Sequence, residues 1–150
     1  MKPSKALLES LMISIDRFLR KIKKDEKTEF IQMARKHTFS YYNEFRSLRI
    51  GLPRRNGNTT LAIKVLEKYL GALYITSTID MVKDFNQRTK DKFKNRAFSL
   101  GRYEYHRGKR YRAKPLIVIT DNTSQHEKSV MSLLYMALNT YNPVYINLGT

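Results

Sequence analysis

Residues 46–150 alternate short apolar runs with helix-patterned stretches, and this alternation constrains the fold more than any other feature of the chain. The strongest run is Leu116–Thr120 (LIVIT), five residues rich in β-branched side chains. Ser47–Ile50, Ala72–Thr76 (ALYIT) and Val144–Leu148 (VYINL) read as further strands. Between them, Thr59–Leu70 carries Leu61, Ala62, Val65, Leu66 and Tyr69 at helical spacing, with Gly71 placed to stop the helix. Ile79–Asn86 reads as a short helix, and residues 124–139 as a buried one through Val130, Met131, Leu133, Leu134, Met136, Ala137 and Leu138. Strands that alternate with helices pair in parallel, because each crossover returns the chain to the same end of the sheet. The expected fold is therefore α/β: a small parallel sheet of about four strands with covering helices.

A helical segment over residues 1–45 is expected to precede this core, which spans 46–150. Leu7, Leu8, Leu11, Ile15, Phe18, Leu19 and Ile22 recur at helical spacing behind Pro3 and Ser4, a suitable helix start. Residues 27–45 read as a second helical stretch. No run approaches the length of a membrane span. The first residues lack the apolar core of a secretory signal, so the expected location is cytoplasmic, the host cytoplasm for a viral protein. Without cysteine there is no disulfide framework and no thiolate-ligated metal. His37, His106 and His126 show no metal-ligand spacing.

Charge supplies the first functional clue. The formal net charge is +16 on 150 residues, which predicts a polyanionic partner. It is unevenly placed. Residues 80–114 hold 12 basic against 4 acidic residues, a net of +8, whereas residues 115–150 hold 1 against 2. Within a basic insert at about 87–114, Arg102, Arg107, Lys109, Arg110 and Arg112 interleave with Tyr103, Tyr105 and Tyr111. Cationic groups neutralise phosphates and release counterions, and tyrosine rings stack on unpaired bases. This pattern predicts contact with nucleic acid, DNA rather than RNA. A solvated hairpin, with Arg102–Tyr105 and Lys109–Arg112 flanking Arg107-Gly108, accounts for the same residues.

The loop after the first expected strand carries the chemistry. In RIGLPRRNGNTTLAIKVLEKYL a strand, a Gly-containing loop and a helix opening on Thr-Thr follow one another. Unpaired N–H groups and the helix dipole favour an anion at such a helix start. Gly57 permits close approach of the backbone, and Thr59 or Thr60 offers a hydroxyl to Mg²⁺.

These residues resemble the phosphate-binding loop G-x-x-x-x-G-K-[ST] of the P-loop NTPases, specifically helicase- and terminase-type ATPases, which suggests a viral or phage protein. Gly57 and Thr59 match the motif. Leu52 stands where the first glycine belongs, with Gly51 one residue early, and Asn58 stands where the lysine belongs. The resemblance implies that Arg54 or Arg55 replaces the lysine charge, as in some viral DNA-packaging ATPases, and that Asn56, Gly57, Asn58, Thr59 and Thr60 cradle phosphates. It makes Asp121, which closes the strand PLIVITDN, the Walker B acid that manages Mg²⁺ together with Thr59. Asn122 follows it where the family has a glutamate, and Glu127 lies too far along. Gly149 and Thr150, after the last strand, resemble the sensor motif, with Thr150 reading the γ-phosphate. The strand YITST fits the second strand of that core, with Thr76, Ser77 and Thr78 near the nucleic-acid side.

The implied cofactors are ATP and Mg²⁺. The implied partners are nucleic acid and a second subunit, or another protein, supplying an arginine finger; no membrane is implied. Asp121 also reads simply as a turn cap ahead of Asn-Thr-Ser. Two other functions remain open on the residues. One is a non-catalytic nucleic-acid-binding protein on a decayed P-loop scaffold, favoured by Asn58 and Asn122. The other is a basic viral interaction or inhibitor protein.

Overall fold

The structure is a computed structural model that describes residues 4–25, 46–51, 57–100, 116–121, 123, 127–133 and 143–148. Its elements in chain order are α1 (Lys5–Asp25), β1 (Ser47–Ile50), α2 (Asn58–Lys68), β2 (Leu73–Thr76) and α3 (Ile79–Arg88). A 3-10 turn (Lys94–Arg96), β3 (Ala97–Ser99), β4 (Ile117–Asp121), α4 (Glu127–Ser132) and β5 (Val144–Leu148) complete them. All neighbouring strands pair in parallel, in the order β1-β5-β4-β2-β3. The α/β class and the parallel sheet agree with the sequence reading.

The sheet has five strands rather than about four. The additional one is β3, which falls inside the stretch read as a basic insert. Ala97, Phe98 and Ser99 pair in register with Tyr74, Ile75 and Thr76. Three residues are too short for any alternation to register, and their strand character comes from the neighbour they pair with. The segment 79–88 continues as helix to Arg88, capped at its start by Thr78, whose Oγ1 accepts from the Met81 N–H at 3.2 Å.

Helix α1 starts as the sequence predicts, with Ser4 Oγ accepting from the Leu7 N–H at 3.1 Å. Leu8, Ile15 and Ile22 are buried, and Leu11, Met12 and Leu19 pack partly against the core. Leu7 lies off that stripe and is exposed. Leu8 and Ile15 join the same hydrophobic core as Leu61, Val65 and Leu66 of α2 and Ile117, Ile119 and Ile146 of the sheet. Lys68 of α2 pairs with Asp16 of α1. The second helical stretch expected over 27–45 lies outside the described residues, as does the C-terminal part of the helix expected over 124–139.

Helix α2 ends at Lys68, two residues before the expected Leu70, because Tyr69 is extended (φ −110°, ψ 97°). Its end is held by a distant side chain. The Arg96 guanidinium donates to Leu66 O and Tyr69 O through Nη2, both at 2.8 Å, and to Ala72 O through Nε at 2.9 Å. Leu66 O is a last-turn carbonyl without an i+4 partner, Tyr69 O and Ala72 O lie in the turn that follows, and a cation at a helix C-terminus also complements the dipole's negative end. Desolvation lowers the Arg96 pKa, and the guanidinium lies over the Phe93 ring, 5.3 Å from its centroid. Arg96→Ala is expected to cost about 2 kcal/mol, the range for charge-assisted hydrogen bonds. Arg96→Lys should recover only part, since an ammonium lacks the planar fork. Urea unfolding of the three proteins checks both.

Candidate functional site

Parallel strands bring their carboxyl ends to one edge, and the strand order decides what meets there. The connection leaving β2 runs to β3 on one side, while that leaving β4 runs to β5 on the other. Neighbouring β4 and β2 thus flank a topological switch point, where open α/β sheets bind ligands outside the carboxyl ends of their strands. Asp121 closes β4 opposite Thr76, which closes β2. Helix α2 packs over β4 and β2, so its N-terminus comes to the same edge.

The first turn of α2 is built on Gly57. Its φ of 104° and ψ of 14° place it in the left-handed region that a β-carbon penalises. Gly57 O accepts from the Leu61 N–H at 2.9 Å, starting the helix, and Gly57, without a side chain, does not cap it. The helix therefore presents Asn58, Thr59 and Thr60 with unpaired N–H character and positive dipole potential. Thr59 Oγ1 donates to Asp121 Oδ2 at 3.3 Å across 62 residues of sequence. Two of the residues singled out for Mg²⁺ are therefore in contact.

Asp121 is buried, and strand β2 holds it in two ways. The Tyr74 hydroxyl donates to the same Oδ2 at 3.1 Å. Thr76 Oγ1 donates to the Asp121 carbonyl at 3.0 Å. The Tyr74 ring is fixed in turn by Phe85 of α3, stacked at 4.0 Å between centroids and 12° between planes. Sequence reading took Tyr74 as one apolar position of a buried strand; its hydroxyl acquires a role only because β2 lies beside β4. The hydroxyls of Thr76, Ser77 and Thr78 are each hydrogen-bonded within the chain. Thr76 is buried, Ser77 Oγ donates to Met81 Sδ at 3.2 Å, and Thr78 caps α3.

Four buried side-chain polar atoms have no hydrogen-bond partner among the described residues: Asn58 Oδ1, Tyr69 Oη, Asn86 Oδ1 and Thr123 Oγ1. In sequence, Asn58 precedes Thr59 and Thr123 follows Asp121 by two residues, whereas Tyr69 and Asn86 lie away from this contact, so the orphans by themselves do not mark a ligand.

Mg²⁺ takes hard oxygen ligands and usually sits on one or two carboxylates, with phosphates and water completing the shell. The Thr59 hydroxyl and Asp121 carboxylate are that donor set, and they fit the ion. Among the described residues no group of three or more His, Cys, Asp or Glu forms an all-protein metal cage. A bound Mg²⁺ would neutralise phosphate charge there.

Arg54, Arg55, Asn56 and Thr150 lie outside the described residues. So do Arg102, Tyr103, Tyr105, Arg107, Lys109, Arg110, Tyr111 and Arg112. Among the described residues no helix is long and apolar enough to cross a membrane. No family model, curated protein or solved structure matches the chain.

The buried phenol also sets a pH dependence. Desolvation, then the charge of Asp121 and the hydrogen bond to it, raise the Tyr74 pKa above its ordinary 10.0. A raised folded-state value means that the unfolded chain releases the proton first. Tyr74's contribution is therefore complete below pH 10 and is lost as pH climbs above it. The stability gap between wild type and Tyr74→Phe should be constant near neutrality and narrow beyond about pH 10. Urea unfolding across that range measures it; a gap that stays constant contradicts the assignment.

Proposed function

We propose that this chain binds a nucleoside triphosphate with Mg²⁺ on a P-loop-type core related to helicase and DNA-packaging ATPases, and that it acts on nucleic acid. One observation carries the reading: the hydroxyl in the first turn of α2 meets the carboxylate that closes β4. A capping aspartate has no need of a partner at the start of a helix 62 residues away. A loop that shares Mg²⁺ between a threonine and an aspartate needs the two side chains this close. The positive φ of Gly57 supports the same reading. In this scheme Gly57 to Thr60 receive phosphate oxygens, Thr59 and Asp121 hold the metal, and Arg54 or Arg55 supplies the missing cation. Thr150 reads the γ-phosphate.

Turnover in this scheme is impaired or depends on a partner. Asn58 brings no charge to the β- and γ-phosphates, and Asn122 is no general base. An arginine finger would come from a second subunit or another protein. The net charge of +8 over residues 80–114 supports a nucleic-acid partner. The same two asparagines favour a second reading, in which the scaffold binds nucleic acid without catalysis.

The test is thermal unfolding against ATP with Mg²⁺. Ligand at a hundredfold excess over Kd stabilises the native state by about 2.7 kcal/mol. A saturating rise in Tm supports the nucleotide reading. No rise at millimolar nucleotide removes it and leaves the non-catalytic one.

A further inference from the structure

The acid of this site is held from two elements, and only one of them belongs to the phosphate loop. Thr59 of α2 and Tyr74 of β2 both donate to Asp121 Oδ2, at 3.3 and 3.1 Å. Tyr74 is 2% exposed, so its hydroxyl cannot exchange this bond for one to bulk water. Its ring is clamped by Phe85, which stands 6.3 Å from Phe93 in the same apolar cluster. The phenol is thus a stiff rod. One end is packed into α3 and the other fixes the carboxylate. Thr59 is differently placed, because its hydroxyl is also the group that would turn to a metal. When it does so, the Tyr74 bond still holds Oδ2.

We infer that Tyr74 is a positioning residue for the metal-binding carboxylate: its buried hydroxyl fixes the Asp121 side chain so that the acid keeps its orientation when Thr59 engages Mg²⁺. The inference rests on the nucleotide reading above. Groups that hydrogen-bond to a ligating carboxylate restrict its rotation, and removing them weakens metal affinity even though they never touch the ion. Neither motif spacing nor apolar patterning assigns Tyr74 this role. The juxtaposition of β2 with β4 creates it.

The test separates metal dependence from nucleotide affinity. A fluorescent ATP analogue is bound to wild type, Tyr74→Phe and Arg96→Ala, first in EDTA and then with increasing Mg²⁺. Circular dichroism confirms that each protein is folded at the assay temperature. Tyr74→Phe removes a single oxygen from a packed site. It should leave metal-free nucleotide binding unchanged and raise the Mg²⁺ midpoint about tenfold. Arg96→Ala is the control for lost stability, since it loosens the far end of α2, and its midpoint should equal the wild type's.

A Tyr74→Phe midpoint equal to the wild type's overturns the inference and leaves the nucleotide reading standing. A rise matched by Arg96→Ala also overturns it, since the effect would then follow stability. A wild type whose nucleotide binding does not depend on Mg²⁺ removes the metal role of Asp121, and the role of Tyr74 falls with it; a wild type that binds no nucleotide removes the nucleotide reading itself. Should Tyr74→Phe prove unfolded, Tyr74→His keeps a ring with a donor. It should then bind Mg²⁺ more weakly than wild type and more tightly than Tyr74→Leu; equal midpoints for the two would overturn the inference.

Discussion

Asp121→Asn is expected to abolish the Mg²⁺-dependent part of nucleotide stabilisation while leaving the fold in place. The substitution keeps the side chain's shape and removes its charge. In the free protein, Thr59 and Tyr74 can still donate to an amide oxygen, so the bonds to Oδ2 become neutral ones. That costs about 1 kcal/mol for each bond, the difference between charged and neutral hydrogen bonds. The liganded state loses far more, because Mg²⁺ binds a neutral amide oxygen poorly beside a carboxylate. At a nucleotide concentration that stabilises the wild type by about 2.7 kcal/mol, the variant should show no Mg²⁺-dependent rise in Tm. A variant that keeps the rise would return Asp121 to a turn cap. Asp121→Ala is a poorer test, because it leaves the buried Tyr74 hydroxyl without an acceptor and destabilises the protein whether or not a ligand binds.

Gly57→Val is expected to lose nucleotide binding and about 2 kcal/mol of stability together. The sequence alone makes this a clean test of the loop: binding lost on one reading, no effect on the other. The φ of 104° changes that expectation. A β-branched residue in the left-handed region is strained, at a cost of order 1–3 kcal/mol, with or without phosphate. Gly57 O also accepts the first hydrogen bond of α2, so strain there disturbs the helix start that carries Thr59. The discriminating variant is Gly57→Asn, since asparagine tolerates the left-handed region best after glycine. Because φ 104° lies beyond the ordinary left-handed well, it should lose some stability in urea, but less than Gly57→Val. Its side chain should still exclude a phosphate from the backbone N–H groups and remove the nucleotide-dependent rise in Tm. Retention of that rise in a folded Gly57→Asn would argue against close approach at this glycine.

The elements themselves were legible in the residues. Ile117–Asp121 and Val144–Leu148 are short apolar runs buried along nearly their whole length, and parallel strands covered on both faces read in that way. The periodicity of Leu61, Ala62, Val65 and Leu66 located the buried face of α2, and Ser4 marked the start of α1. These signals are local, set by burial of one face and by capping within a turn. The three-residue β3 carried no such signal.

Arg96 shows the limit from another side. Counted by composition, it is one more positive charge in a basic stretch facing nucleic acid. In the fold it is spent on three carbonyls at the end of α2 and in the turn that follows it. Charge can be counted along a chain, but whether it faces solvent or caps a helix depends on which elements come together.

Sequence by itself determined that the chain forms a parallel α/β core, where its described helices and every described strand but β3 lie, and that Gly57, Thr59 and Asp121 are the residues to watch. Only the tertiary structure decided that Thr59 and Asp121 meet, that Tyr74 shares the same oxygen, and that β5 separates β1 from β4. The reason is range. Patterning reports which face of an element is buried, an average over neighbours a few residues away. A hydrogen bond across 62 residues depends on strand order and register, and these are fixed only when the whole sheet assembles.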